Sequence, residues 1–287
     1  YLLGVKMKII VTTDSTSDLP KNLAEKYNIG IMPLNVNLGD DTFEDGVNIG
    51  PEEIFNFVDK TGVLPKTGAR SALTYQEFFE NQLKNLNADA LIHISLSSEI
   101  SSSYSNALLA SNELKNVKVI DSRSLSTGCS LLVLSAIDKI EEGKDLDTIA
   151  SELEEETSRV QASFIINNLK YLYKGGRCSA LAMLGANVLR IKPKIKVTDG
   201  KMNVDKKYMG RYEQVLLNYV KDLLKDYPNI NKKRVFITFT SKTDAINAQI
   251  ENILKENGFE EIIQNYAGST IASHCGRDTL GVLFISL

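Results

Sequence analysis

The sequence predicts an α/β protein made of two abutting α/β domains, residues 1–158 and 159–287. Three observations carry that expectation. Short apolar, β-branched runs alternate with helical periodicities through the first half, the mark of a mainly parallel sheet with helical crossovers. The ends of those strand-like runs are dense in hydroxyls, as in "TTDSTSD" (12–18), "ISLSSEISSSYS" (94–105) and "IDSRSLSTG" (120–128). After about residue 158 the pattern changes to one rich in hairpins, which predicts a mixed sheet. Ligands of open α/β sheets sit at the carboxyl ends of strands, and two closely abutting domains offer a cleft for one.

The elements follow in order. "KIIVTT" (8–13) reads as the first strand, with Met7 the expected natural start. A helix is expected over 19–28, with Asp18 as N-cap and Pro20 in its first turn. An extended hairpin is expected over 31–46, and a helix over 50–62 with Pro51 where helices tolerate it. An amphipathic helix (74–86) leads to the strand "ALIHIS" (90–95), a helix from about 102 to 114, the strand "VKVID" (117–121), and two helices within 126–158. In the second half, "ASFIIN" (162–167) reads as a strand. The stretch 169–197 reads as helix, Gly-Gly break, helix and strand. Asp199-Gly200 is the turn of a hairpin over 194–209. A helix (211–226), a strand (234–239), a helix (243–256) and two strands complete the chain.

Composition narrows the function. Hydrophobic residues at 43% and charged residues at 24% are ordinary globular values. A net charge of −3 argues against nucleic acid, whose partners carry a basic footprint. No apolar run approaches the ~18 residues of a membrane span, and the N-terminus lacks the form of a signal peptide. Three scattered cysteines, Cys129, Cys178 and Cys275, form no C-x-x-C pair, so neither a disulfide framework nor a zinc site is expected, and a reducing cytoplasm is the simplest location. With two histidines, His93 and His274, no H-E-x-x-H metal motif exists, and no metal or cofactor is expected. There is no G-x-G-x-x-G after the first strand, no phosphate-binding P-loop and no G-x-S-x-G elbow. His93, flanked by isoleucines in a strand, reads as a core histidine. His274 lies among Ser269, Thr270, Ser273 and Cys275, a stretch read as a loop before the last strand.

Several segments, in order, carry a family resemblance: "TDSTSDLP" (13–20), "KTGARSALTYQEF" (66–78), "ISLSSEISSSYSNA" (94–107), "VIDSRSLSTG" (119–128), "LKYLYKGGRCS" (169–179), "IKPKIKVTDG" (191–200) and "IASHCGRDTLGVLF" (271–284). Together they resemble the DegV family over essentially the whole chain from Met7. The resemblance implies a long-chain fatty acid bound between two α/β domains. It also implies a cognate fatty-acid kinase that phosphorylates the bound carboxyl group to acyl-phosphate for phospholipid synthesis. The chain itself would then be a carrier and not an enzyme, with room for transient contact with a membrane surface. By the same resemblance Thr67, His274 and one of Ser97 and Ser98 bind the carboxylate, and Arg177, of the family's Gly-Gly-Arg, lies at the mouth. The chain departs from the family pattern at "TGARS" and at "SHCGRD", where Arg277 adds a charge available to the head group or to a docking partner.

Such a ligand needs an apolar slot. The stretch 181–189 together with Phe164, Ile165 and Ile166 are the candidate lining, with plain core packing as the alternative. Two rival functions remain open on the sequence. A serine hydrolase acting on a lipid-like ester would use Ser97 or Ser98, His274 and an acid such as Asp14. A sensor of a small polar molecule or phosphate would use the hydroxyl-rich strand ends alone.

Overall fold

The computed structural model describes residues 7–179, 181, 191–242 and 244–287. The first part of the chain runs β1 (Ile9–Asp14), α1 (Lys21–Lys26), β2 (Gly30–Met32), β3 (Asn35–Leu38), β4 (Asp41–Glu44), α2 (Pro51–Thr61), β5 (Lys66–Gly68) and α3 (Ala72–Asn85). It continues with β6 (Ala90–Ser95), α4 (Ser103–Ser111), β7 (Val117–Asp121), α5 (Thr127–Glu141) and α6 (Leu146–Thr157). Strands β2-β1-β6-β7 form a sheet in that order, every pair parallel. All six residues of β6 are buried, as expected of a central parallel strand covered on both faces.

The expected hairpin over 31–46 divides differently. Its first residues join the parallel sheet as β2, while β3 and β4 pair with one another. They take a third partner, β5, that the sequence reading missed, giving a small antiparallel sheet β4-β3-β5. Three residues, Lys-Thr-Gly, are too few to show a period of two, so their strand character comes from pairing alone.

The second part contains β8 (Val160–Gln161), β9 (Ser163–Ile166), α7 (Lys170–Gly175), β10 (Ile191–Thr198), β11 (Lys201–Met209), α8 (Tyr212–Asp226) and β12 (Ile230–Phe239). Then come α9 (Asp244–Glu256), β13 (Glu261–Tyr266), α10 (Ser269–Cys275) and β14 (Thr279–Ser286). The sheet order is β11-β10-β9-β14-β12-β13, with β8 beside β14. Its pairs are antiparallel except β12 with β13, so the sheet is mixed.

Helix α5 joins the two sheets. Every residue from Thr127 to Ile137 is buried, and the helix packs on β1 and β6 on one side and on β12 and β14 on the other. A helix apolar all round is a buried helix. The core containing it runs from Val11, Ile92 and Ile94 through Leu132 to Phe164, Phe236 and Leu283.

The segment read as a loop around His274 is the short helix α10. Its serines and threonine are weak helix formers, but its first N–H groups meet carboxylates from the other end of the chain. Gly268 N–H donates to Asp18 Oδ1 at 2.8 Å and Ser269 N–H to Asp45 Oδ1 at 2.8 Å.

Candidate functional site

A cavity of about 400 Å³ lies where the carboxyl ends of the parallel strands face the second sheet. Thr16 follows β1, Leu96 follows β6 and Leu125 follows β7; Thr67 comes from β5, Met202 from β11 and His274 from α10. Its wall divides by chemistry. Leu96, Ile100, Leu125, Leu172, Met202 and Ile271 are apolar, while Thr67, His274, Arg177, Ser101 and Ser102 supply polar atoms. A smaller, wholly apolar cavity of about 30 Å³ shares Leu125, Ile271 and Cys275 with it and is lined further by Phe164, Phe239 and Leu283.

The polar end centres on one contact. Thr67 Oγ1 lies 2.7 Å from His274 Nε2. Burial, with the positive charge of nearby Arg177, pushes the imidazole down to about 4, so it is neutral at pH 7. If Nε2 carries the proton it donates to Thr67, and the threonine hydroxyl is left to donate to a ligand; in the other tautomer Thr67 donates to the ring. Among the described residues His274 Nδ1 is buried without a partner, and the ring lies against the backbone of α7. A Cβ built on Gly175 would stand 2.7 Å from that nitrogen. The glycine of the Gly-Gly-Arg segment thus makes room for the imidazole. Arg177 follows, its Nη1 donating to Gly175 O at 2.7 Å.

The other expected site residues lie elsewhere. Ser97 is buried, but its hydroxyl donates to Gly200 O at 2.8 Å, in the turn between β10 and β11. Ser98 is exposed and donates to Asp121 Oδ2 at 2.5 Å. Neither lines the cavity; the loop after β6 turns its later serines, Ser101 and Ser102, toward it. Arg277 is also off the lining. It pairs with Glu52 at 3.2 Å and Asp59 at 3.7 Å and lies over the ring of Phe55 at 4.4 Å, fastening α2. Of the expected tail-lining residues, Phe164 borders the smaller cavity. Ile166 is buried in the core between the sheets, and Ile165 in the core of the opposite face of the mixed sheet. Leu181 is buried; residues 182–189 lie outside the described residues.

The triad of the hydrolase reading is not assembled among the described residues. His274 is bonded to a threonine, Ser97 and Ser98 have other acceptors, and Asp14 belongs to a separate network. That carboxylate is fully buried and accepts from Tyr75 Oη at 2.5 Å, Ser95 Oγ at 2.8 Å and Leu96 N at 2.9 Å. Its neighbour His93, 3.3 Å away, is packed edge-on by Tyr75 and Phe79 and contacts Thr12 Oγ1 at 3.0 Å. This is a core histidine. Despite the desolvation that opposes it, those donors and the imidazole hold Asp14 below the usual carboxylate range. No helix among the described residues is long and apolar enough to cross a membrane.

Comparison with known proteins places this fold and cavity in a family. The model of the DegV family, described as one of uncharacterised proteins, matches residues 8–287. The chain belongs to the DegV family. It is 32% identical to a DegV domain-containing protein of Caldanaerobacter subterraneus subsp. tengcongensis, over 96% of this chain and 98% of that one. It is 28% identical to a fatty acid-binding protein of Thermotoga maritima, over 96% of each. Among solved structures it superposes on the fatty-acid-binding DegV family protein from Thermus thermophilus with a TM-score of 0.89 at 29% identity, covering 98% of this chain and all of that one.

Proposed function

We propose that this chain binds one long-chain fatty acid. The tail lies among Leu96, Leu125, Ile271 and Met202, and the carboxylate at Thr67 and His274 within the field of Arg177. The reading treats residues 1–158 and 159–287 as two domains with the ligand between them. The observation that carries it is the Thr67–His274 pair in a cavity whose wall combines these polar groups with Leu96, Ile100, Leu125, Leu172, Met202 and Ile271, in a family with fatty-acid-binding relatives.

The physics suits that ligand. Each buried methylene contributes about 0.8 kcal/mol, so roughly 14 of them offer on the order of 10 kcal/mol before ordering costs. A buried carboxylate is strongly penalised unless hydrogen-bonded. A threonine hydroxyl, a neutral imidazole and a nearby guanidinium meet that need. Arg177 Nη1 donates to Gly175 O; the reading holds the carboxylate chiefly by the threonine hydroxyl beside a neutral imidazole, which leaves one carboxyl oxygen available to react.

That availability fits a carrier. The chain has no phosphate-cradling glycine loop, so the phosphoryl donor and its machinery belong to a separate cytoplasmic kinase. The product is an acyl-phosphate, and this chain contributes no catalytic group of its own. Lipid extraction of the purified protein with mass spectrometry is the test. About one acyl chain per protein is expected, with acyl-phosphate formed from ATP only when a fatty-acid kinase is added. A lipid-free extract together with no uptake of palmitate or oleate would sink the reading.

A further inference from the structure

The fatty-acid reading names His274 and Thr67 as the head-group pair and leaves open what holds them in register. They come from segments 207 residues apart. Their separation is set by where α10 sits on the small sheet β4-β3-β5, because α10 carries His274 in its last turn and β5 carries Thr67. We propose that Asp45 is the positioning residue for this pair: by fixing the N-terminal end of α10 to the sheet that bears Thr67, it sets the His274–Thr67 contact. The functional consequence rests on the fatty-acid reading; the positioning itself does not.

The geometry is a two-point attachment. Asp45 directly follows β4, which pairs with β3, and β3 pairs on its other edge with β5. One end of the small sheet therefore offers Asp45 Oδ1 to Ser269 N–H at 2.8 Å, and the opposite edge offers Thr67 Oγ1 to His274 Nε2 at 2.7 Å. Seven helical residues span about 10 Å at 1.5 Å per residue, so the two contacts pin both ends of α10 to one rigid body. Ser269 Oγ adds a bond to Ile49 O at 3.0 Å.

Asp45 is itself fixed. It is 2% exposed, and its second oxygen accepts from Ser15 Oγ at 2.9 Å, while that hydroxyl accepts from Leu34 N at 3.1 Å. Leu34 lines the cavity. A second acidic side chain, Asp18, accepts from the preceding Gly268 N–H and ties the helix to the parallel sheet. The two acids close on the same point: a Cβ built on Gly268 would come within 3.0 Å of Asp18 Oδ1 and 3.3 Å of Asp45 Oδ1. A buried negative charge at a helix N-terminus meets unpaired N–H groups and the positive end of the macrodipole. Of the two acids only Asp45 adjoins the sheet that carries Thr67; without it α10 keeps the Ser269 Oγ bond and the packing of Ala272 with Val36 but loses the charged tie at its N-terminal end, and it shifts relative to that threonine.

The test is read on lipid-free protein, so it stands whether or not the ligand is a fatty acid. The imidazole nitrogens of His274 are titrated by NMR, with the signals of His93, the second of the two histidines, reporting the integrity of the core. In the parent, burial and the Arg177 charge should bring the His274 midpoint down to about 4. In Asp45→Ala its titration moves up toward the ordinary histidine range as the ring leaves Thr67 and meets water, while Asp45→Asn, which keeps an acceptor for Ser269 N–H, restores the parent curve. Where Asp45→Ala does not fold, Asp45→Ser serves, since it keeps a hydroxyl beside Ser15 and is too short to reach Ser269. Palmitate release from the loaded protein is expected to quicken about tenfold in the Ala variant, with no further change when Asp45→Ala is added to Thr67→Val. A parent-like His274 titration in a folded Ala or Ser variant overturns the proposal, as does an additive effect of Asp45→Ala and Thr67→Val on release.

Discussion

Thr67→Val removes one oxygen from the candidate site and little else. Valine keeps the branched shape and suits a strand, so β5 is expected to persist. What is lost is the 2.7 Å contact with His274 Nε2. Because Nδ1 of the same ring is buried without a partner among the described residues, the variant leaves an imidazole with neither nitrogen satisfied by those residues. Leaving a buried polar atom unpaired costs about 1–3 kcal/mol. In a chain of this size that lowers the melting temperature by roughly 2–4 °C per kcal/mol. With fatty acid bound, the threonine hydroxyl is a donor to a charged group. Such a bond is worth about 1.5–3 kcal/mol, so retention weakens by about ten- to a hundredfold. The assay is the dissociation rate of labelled palmitate, with the melting curve of lipid-free protein as control. A Thr67→Val protein that melts lower but releases palmitate at the parent rate would refute the placement of the carboxylate, because the hydroxyl would then serve only His274.

Two further outcomes follow from charge. Burial pushes the Asp18 carboxyl up to about 8, so the folded state holds a proton there that the unfolded chain gives up in the ordinary carboxylate range. Stability from this group is present at low pH and declines as pH rises toward 8. His274 works oppositely: its depressed value makes stability fall as pH drops from 6.5 toward 4. Above 6.5 the His274 effect is complete while that of Asp18 continues, so urea denaturation should show the parent losing stability between pH 6.5 and 8, below the range in which the buried thiols add a loss of their own. Asp18→Asn, which suits the left-handed backbone at φ 51°, should lose far less, and equal losses in both proteins would contradict the assignment. Arg177→Ala removes an exposed cation at the cavity that also adds to the depression of His274. It should melt like the parent and raise the His274 titration; formation of acyl-phosphate with an added kinase should fall sharply, and undiminished formation would remove Arg177 from the mechanism.

How much was legible in the sequence differs from element to element. Strands β1 and β6 and helix α5 announce themselves because burial on two sides leaves apolar runs. Strand β5 and helix α10 do not, because their stability is supplied from far away. The carboxylates that start α10 lie 250 and 224 residues upstream of the amides they accept from, and no local propensity encodes that. The same distance explains the site. Thr67 and His274 were reachable through family motifs, and the structure brings them together. The loop after β6 holds four serines among residues 96–102, so its composition marks the loop without saying which side chain faces the cavity. Ser97 and Ser98 face the β10–β11 turn and Asp121, while Ser101 and Ser102 reach the lining. Arg277 lies off the cavity lining, and its partners Glu52 and Asp59 are on α2, which only the fold shows.

The central claim is a location as well as an affinity: a fatty-acid carboxylate at Thr67 and His274 with its tail among the apolar residues of the same cavity. A crystal structure of the protein loaded with palmitate tests it directly. The account predicts one chain per molecule, a carboxylate oxygen within hydrogen-bonding distance of Thr67 Oγ1, and methylene density passing Leu125 and Ile271 toward Phe164. Palmitate found outside this cavity, or in it with the carboxylate far from both Thr67 and His274, would contradict the account.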